Sequence, residues 1–222
     1  NLDNTFVDTN LLHGCDNVPT PPVLNILSET TAEDVLKLIK LSPTKSCGLD
    51  PLPTRLLKDP VVLDALLPYM VKVINTSLSL ATVPPCLKQA TITPLLKKQG
   101  LDVEDMKNYR PVSNLAFLSK VLERVVARRL VQHMSSNQLH DPLQSAYKAG
   151  HSTETALLRI KNDIDAALDQ GHRVLLLLLD LSAAFDALDH DVLLNRLSTE
   201  IGICGRALDW FRSYLSSRKQ CV

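Results

Sequence analysis

Six consecutive apolar residues, Val174 to Leu179, stop abruptly at Asp180, and no other stretch narrows the possible folds as tightly. A membrane span needs about 20 apolar residues, so this run is far too short to be one. Its length suits a strand covered on both faces, and a buried helix segment satisfies the same pattern. Gly171 just before it marks the start of a fresh element. A carboxylate at the end of a buried strand is held rigidly while still meeting solvent or a cation. Asp186 and Asp189 follow closely. Crowded carboxylates repel one another unless a cation or a partner relieves them. The segment therefore reads either as a Mg2+ site or as a strand end with a solvated acidic turn.

Charge sets the next limit. Lys and Arg number 24, as do Asp and Glu, so no global field draws the chain to nucleic acid or membrane, and any such patch must be local. One region qualifies. From Lys88 to Arg129, nine basic residues face four acidic ones. The five cysteines are scattered without a close C-x-x-C pair, which argues against a zinc site or a disulfide framework. They point to a reducing intracellular setting, nucleus or cytoplasm. No signal peptide or transmembrane run is expected, and hence no membrane partner. A start at Asn1 and a stop in mid-pattern at Val222 suggest a piece of a longer protein.

Residues 1 to 28 lack periodicity and carry a Pro-rich cluster at 19–22, the pattern of a linker or lead-in. Thr30 and Glu33 have capping-box spacing ahead of a short helix to about Leu41. A turn-rich stretch with Gly48 and two prolines follows, then apolar residues at helical intervals over 60–82, where Pro68 is expected to kink or divide the helix. Ala90 to Leu96 reads as a short extended segment, placed at a sheet edge by Pro94. Leu118, Val121, Leu122, Val125, Val126 and Leu130 form an amphipathic stripe, with Lys120, Arg124, Arg128 and Arg129 on the other face. That basic face is either solvated or a phosphate-binding surface. A helix from about Ser152 to Asp169 is expected to bury Ala156, Leu157, Ile160, Ile164 and Leu168 and to stop at Gly171. Two further helices are expected near 191–200 and 206–216. The element order predicts an α+β fold, mostly helical around a small sheet.

Three chemistries fit an acidic strand end. An aspartyl-nucleophile phosphatase needs a second Asp two positions on, where this chain has Ser182. Ser182 as a nucleophile lacks the G-x-S-x-G context. Metal-dependent phosphoryl transfer needs a rigid Asp, an apolar pocket wall and distant cations for phosphate, and the chain supplies all three.

DLSAAFD, preceded by the apolar run and followed by ALDH, resembles the first catalytic motif of reverse transcriptases, most closely those of non-LTR (LINE-type) retrotransposons. Four other stretches resemble the family's blocks in the family's order: GLDPLPTRLLK, NYRPVSNLAFLSKVLERVVARRL, QSAYKAGHSTETALL and GICGRALDWFRSYLSSRKQCV. The resemblance spans about Ser42 to Val222. It implies an incomplete right-hand polymerase fold: a lead-in with a short helix over 1–41, a fingers-like region over 42–170 and a partial palm over 171–222. Asp180 matches the catalytic, metal-binding carboxylate. Phe185 matches the aromatic under the incoming sugar, and Ala183 and Ala184 match positions beside the triphosphate. Arg110, with Lys97 or Lys98, matches the basic pair that clamps the triphosphate. Gln144, Arg124, Arg128 and Arg129 are implied on the template side, against the alternative of a satisfied loop glutamine and a solvated helix face. Asp186 is either a metal neighbour or a turn residue. The implied activity is RNA-directed DNA synthesis with Mg2+, or Mn2+, on an RNA template and DNA primer with deoxynucleoside triphosphates. The resemblance says nothing of oligomeric state.

The family's later blocks do not appear, and the chain contains no adjacent Asp pair. The chain alone is therefore expected to be inactive. The alternative from another class is a non-catalytic nucleic-acid-binding or protein-interaction fragment, or the remnant of a decayed element.

Overall fold

The structure is a computed structural model that describes residues 22–180 and 187–221. Seven helices and three strands follow in the order α1 (Ala32–Leu41), α2 (Thr54–Leu57), α3 (Pro60–Ser79), β1 (Gln89–Leu96), β2 (Tyr109–Leu115), α4 (Phe117–Ser136), α5 (Thr153–Asp169), α6 (His190–Thr199), α7 (Gly205–Leu215) and β3 (Lys219–Cys221). The described residues thus form a mixed α+β structure, as the element order predicts.

The core is built by α1, α3, α4 and α7. Val35, Ile39, Ile74, Leu78, Val121, Val125 and Trp210 are buried there almost completely. The stripe expected on α4 is present, extended by Phe117 and Ser119 at its start. α3 is long and apolar enough to cross a membrane by length and composition, yet Leu63, Met70, Ile74 and Leu78 place one side of it in this core. Pro68 neither ends nor divides α3, which is assigned as one helix from Pro60 to Ser79. Asp59 caps it by accepting from the Val61 and Val62 amides.

The expected linker is partly wrong. Residues 22–28 are stitched into the fold: the Leu24 amide donates to the Gly202 carbonyl at 2.9 Å, and Cys204 donates back to Leu24 at 3.0 Å. Leu27 is buried in the core. The segment PVLNILS has no helical or strand period to mark it, because its backbone finds partners distant in sequence. The cap of α1 also moves by one residue. Thr31, not Thr30, accepts from the Asp34 amide, while Thr30 is buried and exchanges two backbone bonds with the Asn75 side chain.

The sheet order is β2-β1-β3, with β1 antiparallel to β2 and parallel to β3. β1 is therefore central, which corrects the edge placement suggested by Pro94. The register explains how a proline is tolerated. Lys97 donates to the Asn108 carbonyl at 2.8 Å, so this pair is hydrogen-bonded. Bonded and non-bonded pairs alternate along an antiparallel ladder. Pro94 faces Pro111 three steps further in, at a pair that exchanges no hydrogen bond. On the other side β3 reaches only Gln89 to Thr91, so the amide that Pro94 lacks has no strand to serve.

The largest correction concerns the apolar run. Residues 172–180 have no regular secondary structure, and Val174 to Leu179 are between 42% and 92% exposed. A strand persists only when its amides and carbonyls find a neighbour. Among the described residues the sheet is assembled from β1, β2 and β3, and this run pairs with none of them. α5 does not cover it either. α5 contains no buried residue, and Leu157, Ile160 and Leu168 of its expected core stripe are exposed.

Candidate functional site

The β1–β2 hairpin places the expected phosphate-binding cations together. Residues paired across an antiparallel ladder share a face, and side chains two apart along a strand return to that face. Arg110 pairs with Leu95, and Lys97 continues the same alternation beyond the end of β1, so Arg110 and Lys97 are diagonal neighbours on one face. That face is the wet one, since Thr93, Leu95, Arg110 and Val112 are all exposed. The opposite face carries the buried Ala90 and the half-buried Ile92, Leu96 and Leu115. Lys97 donates from Nζ to the Lys107 carbonyl at 2.6 Å. Among the described residues Arg110 has no ion pair or side-chain hydrogen bond, and its guanidinium is available to a ligand. Lys98 is exposed beside them.

Asp180 lies at the exposed end of the uncovered apolar run. Ala183, Ala184, Phe185 and Asp186 lie outside the described residues. Asp189 is the N-cap of α6, its Oδ1 accepting from the Asp191 and Val192 amides at 2.9 and 3.0 Å. Among the described residues no group of three His, Cys, Asp or Glu side chains is placed to hold a metal.

The basic face of α4 divides. Arg129 is locked into the fold: its guanidinium donates to the Ser28 and Glu29 carbonyls and to its own helix at Val125. Burial lowers its pKa from the ordinary arginine value. Arg124 donates to Ser42 Oγ, just past the end of α1. Arg128 is exposed on a surface cavity that it shares with Glu29, Asp34 and Gln132. Gln144 is an exposed loop residue whose amide reaches the Ala146 carbonyl at 3.3 Å.

Several residues that matter structurally carry no pattern of their own in the sequence. Asp50 bridges the turn-rich segment to α4, accepting from the Phe117 amide at 2.5 Å and from the Cys47 amide at 2.8 Å. α4 has no side-chain cap of its own, so Asp50 supplies one from 67 residues away. Ser213 on α7 accepts from the Val83 amide at 3.0 Å and from Lys88 Nζ at 3.4 Å. Lys88 is buried, and burial with the nearby Arg218 lowers its pKa. Tyr214 donates to Glu123 Oε1 at 2.8 Å, stacks on Trp210 with centroids 5.4 Å apart, and lies beneath the Arg218 guanidinium. Burial, reinforced by the Glu123 carboxylate, pushes the Tyr214 phenol up to about 12.

The motif blocks coincide with these elements: NYRPVSNL is β2, the following block is α4, and GICGRALDWFRSYLSSRKQCV holds α7 and β3. Residues 96–221 match the family model described as "Reverse transcriptase (RNA-dependent DNA polymerase)". The chain belongs to the reverse transcriptase family. Its resemblance to non-LTR elements is borne out by the curated relatives of this reverse transcriptase chain. It is 30% identical over 184 residues to the "Probable RNA-directed DNA polymerase from transposon BS" of Drosophila melanogaster, covering 82% of this chain and 20% of that protein. It is 33% identical over 169 residues to the "RNA-directed DNA polymerase from mobile element jockey" of Drosophila funebris, covering 75% of this chain and 18% of that protein. The chain therefore spans about a fifth of the length of these relatives.

Proposed function

We propose that the parent protein synthesises DNA on an RNA template from a DNA primer, and that this chain supplies its fingers-like region over 42–170 and the start of its palm over 171–222. Family membership supports this together with one geometric observation, the solvent-facing pair of Arg110 and Lys97 on the β1–β2 hairpin. A guanidinium binds phosphate oxygens bidentately, and a lysine adds a compact charge beside it. The pair suits the triphosphate of a deoxynucleotide, with Lys98 at its rim. By motif position, Ala183 and Ala184 border the triphosphate and Phe185 lies under the sugar.

Asp180 is proposed as one carboxylate of a Mg2+ or Mn2+ site in the parent. Among the described residues it does not gather enough ligands to hold a cation, so no step of transfer is assigned to a metal held by this chain alone. Arg128 is the arginine of α4 best placed for template phosphates, because Arg124 and Arg129 are engaged within the fold. Gln144 is accessible for the same purpose.

The test is primer extension on RNA by the parent protein. Asp180→Ala is expected to abolish extension, and near-normal extension by that variant overturns the assignment. Arg110→Ala removes charge-assisted contacts of about 1.5–3 kcal/mol, so the KM for deoxynucleotides should rise tenfold or more. Phe185→Val should leave DNA synthesis measurable while admitting ribonucleotides, and unchanged discrimination would make Phe185 a packing residue.

A further inference from the structure

We propose that Arg218, held between Tyr214 and Glu123, is a positioning residue for the incoming deoxynucleotide: it seats β3 on the base of β1 and so aims the β1–β2 arm that carries Arg110 and Lys97. This role rests on the proposed reading of that pair as the triphosphate site.

β1 is flanked on both sides only at its start. Gln89 to Thr91 pair with Lys219 to Cys221 of β3, while the pairing with β2 runs on from Ala90 to Leu96. Beyond Thr91 the sheet is a two-stranded ribbon among the described residues, and Arg110 and Lys97 stand at its far end. Such a ribbon is marginal by itself and takes its direction from its root. Lys97 lies six residues past Thr91, about 20 Å along a strand, so a tilt of about 3° at the root displaces the cations by about 1 Å. That is a large error for charge-assisted hydrogen bonds to phosphate.

The root is tied to two helices. Ser119 of α4 donates to the Leu87 carbonyl at 2.8 Å, and the buried Lys88 reaches Ser213 of α7 at 3.4 Å. β3 needs the same anchorage, because a three-residue parallel pairing is weak and the turn leading into it is strained, with Ser217 at φ +54°. Arg218 supplies it. Its guanidinium lies 4.6 Å from the Tyr214 ring centroid and 3.9 Å from Glu123 Oε1, and donates to the Tyr214 carbonyl at 3.1 Å. The Tyr214 hydroxyl donates to the same Glu123 oxygen, closing a triangle between α7, α4 and the start of β3. The other four ion pairs among the described residues join positions three or four apart and are more than half exposed. The Arg218 and Glu123 side chains are 26% and 27% exposed and join separate elements, so their pairing is less screened and fixes one element on another.

The experiment is single-nucleotide addition by the parent protein on a saturating primed RNA template. Arg218→Gln should raise the KM for the deoxynucleotide about fivefold while kcat changes less than about twofold. Arg218→Lys, which keeps a cation facing Glu123, should recover most of that loss. Glu123→Gln keeps an oxygen for the Tyr214 hydroxyl and removes the charge, so it should repeat the rise in KM even if Arg218→Gln fails to fold. The deciding readout is coupling to the distant arm. In an Arg110→Ala background neither change should raise KM further, because each acts through the guanidinium already removed. Equal losses with and without Arg110 would make the triangle a general structural brace and overturn the proposal, as would an unchanged KM in both Arg218→Gln and Glu123→Gln. Arg110→Ala by itself tests the triphosphate site, and if it leaves KM unmoved that reading fails first and takes this role with it.

Discussion

Asp50 does its structural work with two oxygens: one accepts the first amide of α4, the other holds the Cys47 turn. Replacing a capping acid by alanine costs about 1–2 kcal/mol. Asp50→Ala should therefore lower the urea-unfolding free energy by that amount, and a wild-type midpoint would show that water caps α4 equally well. Tyr214 gives a pH-dependent test. Its phenol is held up to about 12 in the folded state by burial and Glu123, against about 10 for an unperturbed tyrosine. Between those values the unfolded chain has lost the phenolic proton and the folded chain has kept it. The unfolded state then binds fewer protons, so stability falls as pH rises through this window. The contribution is fully present below pH 10. The difference in unfolding free energy between the wild type and Tyr214→Phe should be flat at neutral pH and narrow between about 10 and 12. A difference that does not change with pH would rule out the coupling.

Among the elements, α5 and α7 are opposites. α7 carries Trp210, 1% exposed, whose indole Nε1 donates to Ser77 Oγ on α3 at 3.1 Å. Trp210→Ala leaves a large cavity, while the Ser77 hydroxyl keeps its bond to the Thr82 carbonyl, and should cost about 3–5 kcal/mol of global stability. α5 has a complete capping box, in which the Ser152 side chain accepts from Thr155 and Thr155 from the Ser152 amide. With no buried residue, α5 adds little to the global transition. Ser152→Ala should speed amide exchange within 153–169 by roughly fivefold, the equivalent of about 1 kcal/mol, and leave the urea midpoint unmoved. A shift of the midpoint would mean that α5 packs on the core.

At the scale of the whole chain, no group of three metal-ligating side chains forms at Asp180 or elsewhere among the described residues, and the sequence has no adjacent Asp pair. Two-metal transfer needs carboxylates from more than one strand to hold and space both ions. Each missing 1.4 kcal/mol of transition-state stabilisation is a tenfold loss in rate. The purified 222-residue chain should therefore extend a primed RNA template no faster than a matched Asp180→Ala control, and extension above that control would reverse this conclusion. Arg128 is exposed on α4 and is the cation proposed for template phosphates. If Arg128 contacts template phosphates, RNA affinity should fall with salt at a log–log slope of roughly 0.7–0.9 per phosphate neutralised. Salt-insensitive binding would show that Arg128 does not serve the template.

Local chemistry in the sequence determined the helices with a strong apolar period, the α4 stripe above all, and the ordered motif blocks that assign the family. It also determined which cations compete for phosphate, because charge and residue type need no partner to be recognised. Tertiary structure decided everything that depends on a neighbour. Asp50 became a cap, and Ser213 an acceptor for a distant amide, only when α4 and Val83 came within reach. Pro94 sits in a central strand because the register sets it against Pro111, where no bond is missed. Residues 22–28 joined the core because Gly202 and Cys204 offered backbone partners. The apolar run of 174–179 shows the difference most sharply. Its composition suits a buried strand or a buried helix segment, but a strand's hydrogen bonds belong to a pair of segments, and among the described residues this run has no paired segment.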